Sequence, residues 1–338
     1  EMCQRTIDTN DYDGLLAMLS TLQDSWSGLS TVRLTKIIKC TFEMIPLSAE
    51  SYEGVLSFLA GLIETYKDKK MLSLDLRCKE VHALLSLGKY PECLTKIADI
   101  AKDLKQFDDK INLISLYVYE SRAHYELKDF ARARASLTSA RALAVSAACP
   151  AQLQAQIDLL NGMYLSDEES YGMAVSYFIE AIEGFAQDKM LENARVALRY
   201  IMLCKIMGEQ FSEVSAVLET KYAASIREDR FIGVLLRVAD SCKKRDLKAY
   251  AETLSECSGV LEADAYVYRH LQRLYAILLD KNILKIIEPY SHVRIDFIAR
   301  KLGADAAVIE TKLRKMILDK AINGILDHVT QCLIITAE

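Results

Sequence analysis

Lys128-Asp129-Phe130-Ala131-Arg132-Ala133-Arg134 is the stretch on which the fold turns, because three relatives of it recur along the chain. They are Gly88-Lys89-Tyr90-Pro91-Glu92-Cys93-Leu94, Glu169-Ser170-Tyr171-Gly172-Met173-Ala174-Val175 and Glu209-Gln210-Phe211-Ser212-Glu213-Val214-Ser215. Each sets a turn residue or a charge before an aromatic, then places small apolar residues on a helical period. The aromatic anchors Tyr90, Phe130, Tyr171 and Phe211 are 40, 41 and 40 residues apart, and Arg245-Asp246-Leu247 makes a weaker fifth copy 36 residues later. That period is what two antiparallel helices of about 15 to 18 residues with short turns require, each pair burying its apolar stripe only by stacking on the next. A mainly α, right-handed helical-repeat solenoid of the tetratricopeptide-like kind is expected, with repeats longer than the usual length of about 34 residues.

Working outward, the stripes between anchors read Leu113, Leu116, Tyr117 and Tyr125, with Glu120 and Arg122 outside, then Ala133, Leu137, Ala140 and Leu143 on the partner helix. Pro91 and Pro150 follow Tyr90 and Cys149 where a first helical turn tolerates proline. The anchors read as core residues that pack the turn between helices, in preference to a peptide groove. Arg132, Arg134 and Arg141 read as a basic stripe, either solvated or facing an acidic partner.

Composition agrees with an all-α chain. Of 338 residues 51% are apolar and 26% charged, enough to bury a core, while 13 Gly and 4 Pro are too few for a strand-rich or loop-rich fold. The formal charge of −5 and pI near 5.7 argue against a dedicated nucleic-acid binder. No apolar run is long enough to span a membrane, and Glu1-Met2-Cys3-Gln4-Arg5 lacks the pattern of a signal peptide. A soluble intracellular protein, cytoplasmic or nuclear, is expected, its first residue Glu1 lying inside a longer polypeptide. Nine Cys without any CxxC pair read as free thiols that pack as small apolar residues.

Catalytic signatures are absent by arithmetic. The closest glycines, Gly54 and Gly61, are seven apart, so GxGxxG, GxxxxGK and GxSxG cannot occur. The five histidines are at least 22 residues apart and none precedes Glu, which removes HExxH and paired-His metal motifs. Asp167-Glu168-Glu169 reads as a solvated start of the following helix, where the dipole favours negative charge. No cofactor and no metal are expected, and no catalytic residue is singled out.

From about residue 282 the pattern changes. Ser291 to Gly303 reads as a short helix capped at Ser291 and stopped by Gly303, and Asp305 caps a second through about Lys320. Two apolar strings, Ile322 to Asp327 and Gln331 to Thr336, read as a β-hairpin across His328-Val329-Thr330. Helix, helix, hairpin is the winged-helix order. Lys312, Arg314, Lys315 and Lys320 lie on the helix that such a module sends into DNA, and residues 281–320 carry nine Lys plus Arg against five Asp plus Glu, a local +4. Protein assembly suits the acidic scaffold better, because the outer strand of the hairpin offers backbone groups to a neighbouring subunit.

These stretches resemble PCI-domain proteins, which build the 26S proteasome lid, the signalosome and a translation-initiation complex. The resemblance is carried by Ala135 to Arg141 with Cys149-Pro150 and Leu153-Gln154-Ala155, by Tyr177-Phe178 through Glu180-Ala181 and Glu183-Gly184, and by Tyr200 to Met207. Ile287-Glu288-Pro289-Tyr290-Ser291, Met316 to Lys320 and Gly324 to Asp327 complete it, over roughly residues 75–338, and the first 70 residues match only in helical character. Thr138-Ser139-Ala140-Arg141 and Leu203-Cys204-Lys205-Ile206 favour the proteasome lid over the signalosome.

The resemblance implies a repeat arm at 1–165 and a PCI domain at 166–338, helical to 281 and winged from 282. It implies a non-catalytic structural subunit, hetero-oligomeric, whose partners are other PCI lid subunits, the ATPase ring and an α subunit of the proteolytic core. The expected lateral contact is the wing, Ile322, Ile325, Leu326, Cys332, Leu333, Ile334, Ile335 and Thr336, taken as strands with no internal partner beyond each other. Arg132, Arg134 and Arg141 are the expected contact to an acidic partner. Lid subunits usually continue past the wing into a C-terminal bundle helix, so here that helix either lies outside this sequence or the chain docks differently.

Overall fold

The computed structural model describes Lys36 and residues 52–335, except 68, 221–222, 224–225, 227–228, 262–263 and 328–329. The chain divides into two compact units, residues 1–160 and 161–338.

The first unit contains α1 (Tyr52–Thr65), α2 (Lys70–Ser86), α3 (Tyr90–Gln106), α4 (Lys110–Glu126) and α5 (Phe130–Ser146), and α6 (Ala151–Asp167) begins in it. From α2 to α5 every helix has 17 residues. Three residues join each to the next, and the middle one is left-handed: Gly88 at φ 74°, Asp108 at 52°, Lys128 at 62°. This conformation lets the third turn residue return its amide to a carbonyl five residues back, Lys89 to Leu84, Asp109 to Leu104 and Asp129 to His124, which satisfies the orphan end of the finished helix. Asp109 and Asp129 then cap the next helix, accepting from the amides of Asn112 and Arg132. One turn residue therefore ends one helix and starts another, which fixes the 40-residue period. Leu74, Val81, Leu84, Ile97, Ile100, Leu104, Leu113 and Leu116 form the core between these helices.

The aromatic anchors are not core residues. Phe130 is 47% exposed and meets Tyr125 edge-on at 5.6 Å, and Tyr90, Tyr171 and Phe211 are only half-buried. They cover the turns, while the interhelical stripe starts three residues later at Cys93, Ala133, Ala174 and Val214, each at most 1% exposed. An aromatic at the first helical position lies beside the turn, and its i+3 neighbour faces the partner helix.

The second unit carries the pattern on through α7 (Tyr171–Gln187) and α8 (Leu191–Met207), with Glu169, Lys189 and Glu209 at the left-handed positions. After Phe211 the repeat breaks, since α9 (Val214–Val217) has only four residues. It resumes at α10 (Arg230–Lys244), where Arg245 is left-handed at φ 56° and Asp246 caps α11 (Leu247–Glu256), so the fifth copy marks a true turn. α12 (Ser258–Leu261) leads to the long α13 (Ala265–Ile287).

The acidic triplet does not open a helix. Asp167 is the last residue of α6 and Glu168-Glu169 form the turn. Their charge is compensated from α13 instead: Arg269 donates to Asp167 at 3.2 Å and Arg273 pairs with Glu169. Lys281 pairs likewise with Glu209, the equivalent turn residue one repeat later.

The C-terminal module holds β1 (His292–Arg294), α14 (Ile295–Leu302), α15 (Ala306–Leu318), β2 (Gly324–Asp327) and β3 (Cys332–Ile335). Two expectations need correction. Residues 292–294 form a strand instead of opening the helix, because Val293 points into the core while His292 and Arg294 stay outside. The sheet has three antiparallel strands in the order β1-β3-β2, with Val293 opposite Leu333 and Leu326 opposite Leu333 on the other side. Gly303, left-handed at φ 67°, ends α14 as the sequence suggests.

Candidate functional site

Chemistry is scarce among the described residues. No group of three His, Cys, Asp or Glu there is placed to hold a metal ion. Cys78, Cys204 and Cys242 are buried, and burial pushes each thiol up to about 12, which leaves them protonated and unreactive. An open groove of about 430 Å³ lies against Leu104, Leu113, Tyr117 and Leu143, and its Ser139 hydroxyl already donates to the Ala135 carbonyl at 3.0 Å. No described helix is long and apolar enough to cross a membrane.

The sheet of the C-terminal module carries most of the contact residues expected from the sequence. Gly324 starts β2 where a Cβ would stand 2.6 Å from the Ile334 carbonyl oxygen, so glycine is what lets the strands close. Leu333 (0% exposed), Val293 and Ile322 seal the sheet onto Ile298, Ile309, Leu313 and Met316. The opposite face carries the row His292, Ile334, Ile325, with Ile325 63% exposed.

The eight wing residues named from the sequence therefore separate. Ile322 and Leu333 are core, and Cys332, Leu333, Ile334 and Ile335 sit on the central strand β3, whose two edges are taken by β1 and β2. The premise that the two strands pair only with each other fails, because a third strand too short to show a period-2 pattern was hidden in 292–294. Ile325 and Leu326 lie on β2, an edge strand of the described sheet, and Leu326 is half-buried. Thr336 lies outside the described residues.

The basic positions on α15 are partly spent. Lys312 pairs with Asp280 of α13 at 2.8 Å and Arg314 with Glu310 at 2.8 Å. On α5, Arg132, Arg134 and Arg141 are all exposed, yet they form no single stripe. At 100° per residue Arg134 and Arg141 share one flank of the buried Ala133, Leu137, Ala140 row, whereas Arg132 lies on the other and pairs with Asp129 at 3.4 Å.

A helical repeat array closed by a three-stranded module defines the class, and the PCI domain family model matches residues 250–337. Among curated relatives, a Dictyostelium discoideum 26S proteasome non-ATPase regulatory subunit 11 is 34% identical over 330 residues, covering 96% of this chain and 79% of the relative. An Arabidopsis thaliana homologue of that subunit is 31% identical over 99% of this chain and 80% of its own. The 26S proteasome regulatory subunit RPN6 of Saccharomyces cerevisiae is 32% identical over 88% and 69%. The chain belongs to the family of 26S proteasome non-ATPase regulatory subunit 11.

Proposed function

We propose that this chain is a non-catalytic scaffold of the 26S proteasome lid, which supports lid assembly and braces the regulatory particle against the ATPase ring and an α subunit of the core during ubiquitin-dependent degradation. The identity to proteasome subunits over nearly the whole chain carries this reading. Two observations support it: repeats whose turn residues are hydrogen-bonded back to the finished helix suit a load-bearing arm, and an edge strand carrying an exposed isoleucine suits strand-to-strand contact with another PCI subunit.

In this reading residues 1–165 are the arm and 166–338 the PCI domain, with a winged helix from 282. The arm offers Arg134 and Arg141 on one flank to an acidic surface, and the module offers β2. The assembly is hetero-oligomeric and works in cytoplasm and nucleus.

The test is gentle affinity purification of the tagged chain from cells, with native mass determination and an assay of ATP-dependent peptide hydrolysis. Recovery in a megadalton, peptidase-active particle is expected. Recovery in a smaller, peptidase-free PCI complex would move the chain to the signalosome or an initiation complex, and a free monomer would overturn the scaffold role.

A further inference from the structure

A second surface of the C-terminal module stands apart from β2. Tyr290 and Phe297 pack edge-to-face at 5.8 Å and 79°, and both remain open to solvent, 40% and 36% exposed. Phe297 sits on the outer side of α14 with Arg300 and Lys301 three and four residues on, so the three share one face. Lys301 Nζ lies 5.4 Å from the Phe297 ring. Lys248 of α11 reaches the same end of the helix, its side chain laid over Gly303 so closely that a Cβ there would stand 2.2 Å from Cε.

These cations have no acid to answer them. Among the described residues Lys248, Arg300 and Lys301 have no carboxylate within ion-pair distance, and Arg300 Nε donates only to the Asp296 carbonyl at 3.2 Å. The nearby Asp296 carboxylate is held by Arg294 at 3.3 Å. This contrasts with Lys281, Arg273 and Lys312 on the neighbouring elements, each of which is paired.

We propose that Tyr290, Phe297, Arg300 and Lys301 form a docking surface for an acidic peptide segment that carries an aromatic or branched aliphatic residue. The aromatic pair gives an apolar saddle for the side chain, and the two unanswered cations Arg300 and Lys301 at its rim match the flanking carboxylates. A nucleic acid fits less well. Bases stack on open ring faces, whereas the face of Phe297 lies beneath Lys301 and Tyr290 meets Phe297 edge-on. The inference does not depend on the proteasomal reading, since it uses only the surface of this module.

The experiment titrates the full chain against a short fluorescein-labelled peptide of Asp and Glu with Phe and Leu at its centre, followed by anisotropy at rising salt. Saturable, salt-weakened binding is expected. Phe297→Ser, and separately Arg300→Gln with Lys301→Gln, lower the affinity by about tenfold, while Val145→Ser on α5, 91% exposed, leaves it unchanged. All substituted positions are exposed, and an unchanged melting temperature checks that each variant is folded. Absence of binding overturns the proposal. So does equal binding of the peptide with Phe and Leu replaced by Ser, or tighter binding of a single-stranded oligonucleotide.

Discussion

Arg269 and Asp167 are 102 residues apart in sequence and meet at 3.2 Å, the guanidinium of α13 closing on the carboxylate that ends α6. His270 Nε2 lies 3.1 Å from the same oxygen, off the hydrogen-bond direction, with its ring against Tyr266 at 4.5 Å. With Arg273 on Glu169 and Lys281 on Glu209, α13 is tied by charge to equivalent turns one repeat apart. Each pair is half-exposed and worth only about 0.5 kcal/mol. The expected result for Glu169→Arg is a loss of that order, restored by adding Arg273→Glu. Urea unfolding of the single and double variants at low and high salt measures it, and a double variant no better than either single one would show that the pair is uncoupled.

The left-handed turn residues give a sharper energetic test. A side chain at positive φ costs about 1 kcal/mol relative to glycine, and only Gly88 among the three turns of the first unit avoids that cost. Lys128→Gly is expected to stabilise the chain by about 0.5 kcal/mol once the added freedom of the unfolded chain is subtracted. Gly88→Ala should cost about 0.5 kcal/mol by the same subtraction. Thermal melts of both variants check the opposite signs, and a Gly88→Ala protein as stable as the parent would refute this account of the turns.

The turns also show how much could be read from sequence. The period and the helix ends were legible because Gly88-Lys89, Lys128-Asp129 and Glu169-Ser170 are local signals, each recording a left-handed residue just before a helix, with a side-chain cap added at Asp129. Burial of the anchors is not legible, since an aromatic next to a turn looks the same in sequence whether it covers the turn or fills the core. β1 was invisible because three residues cannot display a period of two, and with it went the distinction between edge and centre among the wing residues. The links from α13 to Asp167, Glu169 and Glu209 depend on tertiary approach, and their only trace was the 40-residue spacing of the two glutamates.

Acid should loosen the first unit before its carboxylates titrate. Burial pushes the imidazole of His82 down to about 4, with Lys79 and Arg122 adding to the effect, and its ring lies 5.2 Å from Tyr119. Between pH 6.5 and 4 the unfolded chain therefore binds a proton that the folded chain refuses, so stability is complete above pH 6.5 and falls as pH drops toward 4. The loss attributable to this residue is on the order of 2 kcal/mol at the lower limit. His82→Gln removes it: the drop in unfolding free energy between pH 7 and pH 4.5, measured by urea titration, should be smaller in the variant than in the parent. An identical drop would mean that His82 titrates normally.

The order β1-β3-β2 separates two substitutions that the hairpin alone would have treated alike. Ile334 lies on the central strand, opposite His292 on one side and Ile325 on the other. Proline there removes a ladder donor between two partners and is expected to unfold the C-terminal module, costing about 3 kcal/mol or more. Ile325 is on the edge strand and 63% exposed, so Ile325→Glu should leave the unfolding free energy within about 1 kcal/mol of the parent while blocking association through β2. Limited proteolysis of the module and co-purification with other PCI subunits read the two effects separately. If Ile325→Glu folds normally and still enters the complex, β2 is not the contact strand; if Ile334→Pro resists protease as the parent does, the central place of β3 in the sheet is wrong.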